Sequence, residues 1–451
     1  MVSGVDMTRY FAGGTGGSAL ENAFSRRSAV LPFRGKRRVP AADMPMIWER
    51  LMTGVNPPNK RLVYIHIPFC ANHCLFCGFY RNAHVPATSA DYVARLVDEI
   101  RSEAENTALR TMPVHAVYIG GGTPTALRAE ELSHIIATVR RVLPLAADCE
   151  ITVEGRIIHF GHEKIDACLE AGANRFSIGV QSFDTDVRRR QGRRCDRKQV
   201  ISFLEDLRER DRATLVIDLM YGLPDQSLEI WRQDVTTATA IAPDGIDLYG
   251  LNLIPGTPLF TAIAAGKFSA TPDLSKIGAF YQLGANVLHR ANWRQISNNH
   301  WGRTTRERNR YNLLIKEGAD CIAFGAGAGG SIGTIGYGLT GDLRQYADDL
   351  RCGRKPFSMM TVADDHQPVR NFVTAAFEIG YLDMNHLDEL AGCETAPLFG
   401  PLLAQWQRAG LLSFADNTIE LTLAGRFWYA NLISAFHEIL ENRLVSTVDA
   451  A

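Results

Sequence analysis

The run Tyr64-Ile65-His66-Ile67-Pro68-Phe69-Cys70-Ala71-Asn72-His73-Cys74-Leu75-Phe76-Cys77 joins an apolar β-like stretch directly to three cysteines in C-x3-C-x2-C spacing. A strand that ends in a loop of ligand-type residues is the arrangement of α/β sheets and barrels, whose sites gather at the carboxyl ends of the strands. Three thiols on one short loop suit two chemistries. A structural zinc site needs four ligands, with His66 or His73 to complete it. An iron–sulfur cluster held by only three thiolates instead keeps one iron open to a small chelating molecule. No second cysteine pair follows downstream.

Outward from this run, short apolar stretches alternate with amphipathic ones, the pattern of repeated βα units. Strands are expected at Leu62 to Ile67, Val114 to Ile119, Glu150 to Val153, Arg175 to Gly179, Thr214 to Leu219 and Ile246 to Leu251. Helical patterns fall between them near Ala90 to Glu105, Ala129 to Val142, Glu163 to Ala171, Lys198 to Arg208 and Gln226 to Ala240. Six such repeats predict an α/β fold, a partial (β/α)6 TIM-like barrel. Residues 1–60, rich in Gly, Ser, Arg and Pro, read as an extension that wraps the core, residues 61–345 as the barrel with a substrate-site extension. Residues 346–451 read as a small helical or winged-helix-like domain, placed to cover the barrel mouth, with an apolar-alternating stretch at Thr418 to Leu423.

Composition narrows the function class. The chain of 451 residues is 46% hydrophobic and 22% charged with a formal net charge of -1, which gives no general attraction to nucleic acid or to an anionic membrane. No uninterrupted apolar run reaches the roughly 18 residues of a membrane span, and no secretory leader pattern opens the chain, so a cytoplasmic protein without membrane insertion is expected. Nine cysteines, an odd number, argue for reduced thiols over a disulfide framework. The six scattered ones, Cys149, Cys168, Cys195, Cys321, Cys352 and Cys393, read as small buried apolar residues.

Further motifs stand where later strands would end. Gly120-Gly121-Gly122-Thr123-Pro124-Thr125 follows the second strand and offers backbone groups to a closely approaching ligand. Glu154 follows the third strand, and Gly179-Val180-Gln181-Ser182-Phe183-Asp184 the fourth. Gly192-Arg193 comes next, and Asp218-Leu219-Met220-Tyr221-Gly222-Leu223-Pro224 lies at the fifth. Arg189, Arg190 and Arg194 form either a solvated face or a patch for carboxylates.

In this order the motifs resemble the radical S-adenosylmethionine (SAM) superfamily, and within it the coproporphyrinogen dehydrogenase and haem chaperone branch. The resemblance implies a [4Fe-4S] cluster on Cys70, Cys74 and Cys77, with the amino and carboxylate groups of SAM on its open iron. Reductive cleavage of SAM to a 5'-deoxyadenosyl radical follows, fed by a flavodoxin- or ferredoxin-type electron donor. It implies SAM contacts from Tyr64, Phe76, the loop Gly121, Gly122 and Thr123, and from Glu154, Gln181, Arg193 and Asp218. A cationic Arg193 can pair with a carboxylate, and Asp218 or Gln181 can accept ribose hydroxyls.

Three departures point away from the dehydrogenases and chaperones. Phe79 stands where the dehydrogenases carry a further cysteine. Glu154 is followed by Gly155-Arg156-Ile157 in place of an acidic-x-Asn/Asp-Pro pattern. The chaperones' His-Asn-x-x-Tyr-Trp stretch is replaced by Ser297-Asn298-Asn299-His300-Trp301. With Arg306-Glu307-Arg308-Asn309-Arg310-Tyr311-Asn312 and the loop Gly325 to Gly330, the set resembles the anaerobic haem-degrading radical SAM methyltransferases, or anaerobilin synthases. That resemblance implies haem as substrate. His300 is then either an axial ligand beside an aromatic wall at Trp301 or packed structure. Arg303, Arg306, Arg308 and Arg310 are either forks for haem propionates or solvated charge.

Overall fold

The computed structural model describes residues 6–13, 18–30, 33–54 and 57–448. Parts of the expected extension (1–5, 14–17, 31–32, 55–56) and the last three residues lie outside the described residues. The apolar runs form six parallel strands: β1 (Arg61–Ile67), β2 (Val114–Gly121), β3 (Leu145–Gly155), β4 (Arg175–Gln181), β5 (Thr214–Tyr221) and β6 (Gly245–Gly250). They pair in chain order, as right-handed βα repeats require. The helix α1 (Ala129–Val142) shows how the outer layer attaches: Leu132, Ile135, Ile136 and Val139 recur at helical spacing and are all buried.

Two features extend the expected half-barrel. Antiparallel β7 (His300–Gly302) adds to β6, and β8 (Asp320–Phe324) adds parallel to β1 as a seventh parallel strand. At five residues behind Gly318, β8 is too short to announce itself by period. The strand Phe357–Ala363 and the three-residue Lys36–Arg38 complete the sheet beyond β8. The strand Phe357–Ala363, which falls within the expected tail unit of residues 346–451, thus pairs into the main sheet. From there α3 (Gln367–Ile379) and the helices Met384–Ala391 and Ala396–Arg408 surround a three-stranded antiparallel sheet of Tyr381–Asp383, Leu412–Ala415 and Thr418–Leu421. Helix, strand, helix, helix, hairpin is a winged-helix order.

The tail packs on the helix α2 (Arg310–Glu317) and the strand Arg294–Ser297, with Lys316 Nζ 2.6 Å from Glu378. None of its described residues lines the cleft at the barrel mouth described below. The N-terminal segment straps the tail to the barrel. Trp428 Nε1 donates to Ala19 O and Leu20 O, and Arg34 pairs with Glu441 at 2.8 Å. Leu20 in turn lies against Gly278 of the helix Leu274–Arg290, where a Cβ would come within 2.6 Å of it.

The barrel interior carries polar residues in a closed chain near its floor. Arg175, the first residue of β4, grips Glu307 through two bonds of 3.0 and 3.1 Å. Glu307 Oε1 lies 3.1 Å from His300 Nε2, and His300 Nδ1 lies 2.9 Å from Asp247 in β6. Both carboxylates and the imidazole are buried. Burial alone would lower the His300 pKa, but Asp247 and Glu307 on its two nitrogens raise it to about 9. Burial likewise favours the neutral Glu307, and Arg175 and His300 hold it well below the usual carboxylate range instead.

Because the folded pKa of His300 lies above its ordinary 6.5, its charge contributes stability fully below about pH 6.5, and that contribution fades as pH rises through 9. His300→Leu should cost about 3–5 kcal/mol, since it leaves buried carboxylates uncompensated. Thermal unfolding between pH 6 and 10 should show a falling midpoint in the wild type and a flatter profile in the variant.

Candidate active site

The carboxyl ends of β1 to β5 meet at a cleft of about 170 Å3. Cys70, Cys74 and Cys77 line one side with Phe76, and Gly122 and Thr123 stand behind them. Glu154, Gln181, Arg193 and Asp218 line the same cleft, Arg193 beside the cysteine loop. Ten of the twelve residues expected there from sequence thus share one space. The other two lie just beneath: Gly121 N–H donates to Glu154 Oε2 at 3.1 Å, and the Tyr64 hydroxyl is 3.0 Å from His66 Nδ1.

Backbone geometry holds the two ligand loops together. Gly122 N–H donates to Ile67 O and Thr123 N–H to Phe69 O, each at 2.8 Å, which prolongs the β1–β2 ladder beyond both strands. A Cβ on Gly122 would sit 2.6 Å from Phe69 O, so only glycine allows this approach. Gly121 adopts φ +110°, and a side chain there would strike the His66 ring at 2.6 Å. Gln181 holds φ +71° at the bulge that ends the β4–β5 ladder, a strained setting for a non-glycine residue that aims its amide at the cleft.

The three thiols suit a cluster better than a single ion. His73 Nε2 bonds Cys77 O at 3.0 Å while its ring stacks on Tyr80, and His66 is engaged by Tyr64. Each candidate fourth ligand of a zinc site thus has one ring nitrogen engaged. Among the described residues no three His, Cys, Asp or Glu side chains converge as ligands of one ion. Burial pushes the Cys70 thiol up, opposed by a 3.4 Å bond from Thr123 Oγ1 and by the positive charge of Arg156.

Orphaned polar atoms show that the cleft is built for a ligand. Arg193 Nε, Arg156 Nε and Gln181 Oε1 are buried without any partner, a state that costs roughly 1–3 kcal/mol apiece unless a ligand meets them. Arg193 is fixed from behind by a 2.5 Å bond to Gly179 O and packs over the Phe76 ring. At the opposite end, burial and the charges of Asp247 and Glu154 drive the Asp218 pKa well up. Cations at one end and carboxylates at the other complement a zwitterion that carries an additional positive charge.

Arg156 is the site residue that sequence reasoning left out, although it heads the Gly155-Arg156-Ile157 departure. Asn72, Ser177 and Tyr80, which also line the cleft, carry no sequence signal of their own. The residues expected on haem are elsewhere. His300 has both nitrogens committed to carboxylates and is 1% exposed, so it is not free to bind iron. Trp301 is buried in the core. Arg303 bonds Pro243 O, Arg306 pairs with Asp211, and Arg308 and Arg310 reach Asp148, all at the strand starts. These four arginines brace the barrel floor, at the end opposite the cysteines. Of the scattered cysteines, Cys149, Cys168 and Cys321 are buried as expected, Cys195 is half-buried, and Cys352 and Cys393 are exposed.

A partial barrel with a three-cysteine loop on its first strand and a ligand cleft at the strand ends defines a radical SAM protein. Residues 64–236 match the Radical SAM superfamily. The chain is 44% identical to an anaerobilin synthase of Escherichia coli O157:H7 over 97% of its own length and 96% of the relative's. It is 26% identical to the heme chaperone HemW of Bacillus subtilis (strain 168), over 83% of this chain and 98% of that one. The solved coproporphyrinogen III oxidase HemN of Escherichia coli superposes with a TM-score of 0.76 at 21% identity, covering 91% of this chain and 96% of that one, which establishes the shared fold. The chain belongs to the anaerobilin synthase family of radical SAM enzymes. No helix among the described residues is long and apolar enough to cross a membrane.

Gly122→Ala should force the two ligand loops apart at a cost of about 1–3 kcal/mol. Iron and sulfide analysis after anoxic reconstitution should find clearly less of both per chain than in the wild type.

Proposed function

We propose that this enzyme methylates haem with SAM and opens its ring without oxygen, releasing iron and a linear tetrapyrrole. The observation that carries the proposal is the near-full-length match at 44% to an anaerobilin synthase, against 26% for the chaperone and for an oxygen-independent coproporphyrinogen III oxidase of Salmonella typhimurium. Cys70, Cys74 and Cys77 hold a [4Fe-4S] cluster, and that cluster together with SAM supplies reductive cleavage of the sulfonium. A one-electron donor of flavodoxin or ferredoxin type feeds it.

The chain's own residues then have separable tasks. Arg193 takes the SAM carboxylate through its unpartnered Nε edge, while Glu154 and the Gly121-Gly122-Thr123 loop receive the amino group. Gln181 and Asp218 accept the ribose hydroxyls, and Phe76 lies along the adenine. Tyr64 closes the floor of the cleft. The flat macrocycle rests on the rim of the mouth, against Phe79 and Phe260, which are exposed although large and hydrophobic. The rim is tied to the cluster loop through Leu259 N–H and Leu75 O at 2.9 Å. His300, Trp301, Arg303 and Arg306 take no part in holding haem.

Anoxic incubation of reconstituted enzyme with haem, SAM and dithionite, followed by mass spectrometry, should give a methylated linear tetrapyrrole and 5'-deoxyadenosine. Intact haem with no 5'-deoxyadenosine would sink the proposal. Haem bound without turnover would indicate a chaperone. Protoporphyrinogen formed from coproporphyrinogen would indicate a decarboxylase. Cys70→Ala should abolish both the cluster colour and turnover. Arg193→Gln should retain the cluster yet raise the apparent KM for SAM about tenfold or more, the weight of one charge-assisted hydrogen bond.

A further inference from the structure

The cleft is lined from inside by Arg193, but its wall is thin. Asn72 Nδ2 donates to Gly192 O at 2.7 Å, and Leu75 N–H donates to Gln191 O at 3.3 Å. Gly192, at φ +76°, lies so close that an added Cβ would be 3.3 Å from His73 O. The turn 191–193 therefore packs directly against the cysteine loop. On its outer surface Arg189, Arg190 and Arg194 are exposed.

The charge here is concentrated. Between residues 185 and 198 seven cationic side chains stand against two carboxylates, in a chain of formal net charge -1. Arg190 pairs with Asp225 at 2.8 Å. The carboxylate of Asp196 is spent as a helix cap. Arg188 and Arg193 are buried, which leaves five of the seven on the outside, and this positive face is hydrogen-bonded through the turn 191–193 to the cysteine loop.

We propose that this arginine face, centred on Arg189 and Arg194, is the docking surface for an acidic protein that carries single electrons. The inference rests on the cluster assignment above and adds where its reductant binds. The barrel mouth is filled by SAM and substrate during turnover, so an electron has to enter through a wall, and this wall is in direct contact with the cysteine loop. Opposite charge on the partner steers encounter and fixes register, which raises association rates and makes them sensitive to salt. In the transfer, one electron leaves a flavin hydroquinone, which becomes the semiquinone, and the cluster is reduced by that electron. No bond is made or broken.

The test uses reconstituted holoenzyme and an acidic flavodoxin. Arg189→Glu with Arg194→Glu should weaken binding of oxidised flavodoxin at least tenfold by calorimetry at low salt. It should also slow bleaching of the cluster by the hydroquinone to a similar degree in stopped-flow. Arg189→Gln with Arg194→Gln should fall between. Wild-type binding should weaken steeply with ionic strength, while binding by the charge-reversed variant should hardly change. Reduction by excess dithionite and the KM for haem should match wild type in both variants. Equal flavodoxin affinity in wild type and charge-reversed enzyme would overturn the docking surface. So would a raised haem KM under dithionite, which would give these arginines to the propionates. If the holoenzyme takes up electrons normally but leaves haem intact, the proposed reaction fails while the docking measurements still decide this inference.

Discussion

Two backbone hydrogen bonds, from Gly122 to Ile67 and from Thr123 to Phe69, decide whether the site exists. A parallel ladder normally ends with its strands. Here it continues into two loops that carry opposite halves of the chemistry, thiols on one and exposed backbone groups on the other. Because the bonds are main chain to main chain, they need no side chain beyond the glycine that permits the approach. The other site residues inherit their positions from the same sheet: Glu154, Gln181 and Asp218 stand one, two and three strands along from that seam.

The barrel separates its polar residues by depth. Near the starts of the strands, Arg175, Glu307, His300 and Asp247 satisfy one another and resist water. Near the ends, Arg193, Arg156 and Gln181 keep atoms in reserve. Asp247 joins the two groups, since it balances the charge of His300 and, as the register partner of Asp218 on the next strand, raises the Asp218 pKa. Stability and ligand readiness thus divide along the strand axis, the usual partition of barrels with parallel strands.

That division explains what the sequence revealed. Runs such as Leu62 to Ile67 and Thr214 to Leu219 announce strands because both of their faces are buried, and whatever follows them falls at the mouth. The cysteines, the glycine triplet, Gln181 and Asp218 were legible for this reason. His300-Trp301 and the arginines from 303 to 310 were not, because β7 runs antiparallel and delivers its following residues to the floor. Adjacent positive charges in a loop read the same at either end of a barrel; only strand direction tells them apart. The short β8 and the exposed Phe260 carry no mark in the sequence, because neither has period or unusual composition. The substrate, too, came from likeness to a family, since no single residue spells out a tetrapyrrole.

The contacts of Trp428 with Ala19 and Leu20 join residues about four hundred positions apart. During synthesis the first sixty residues emerge early, yet Ala19 and Leu20 lack their Trp428 partner until the last helices leave the ribosome. The barrel strands and their cysteines come out in between. An unfastened barrel, with its metal-binding loop already formed, therefore precedes the finished molecule in time. Maturation machinery could reach it in that interval, and a truncation near the carboxyl end would leave the amino-terminal strap without its anchor.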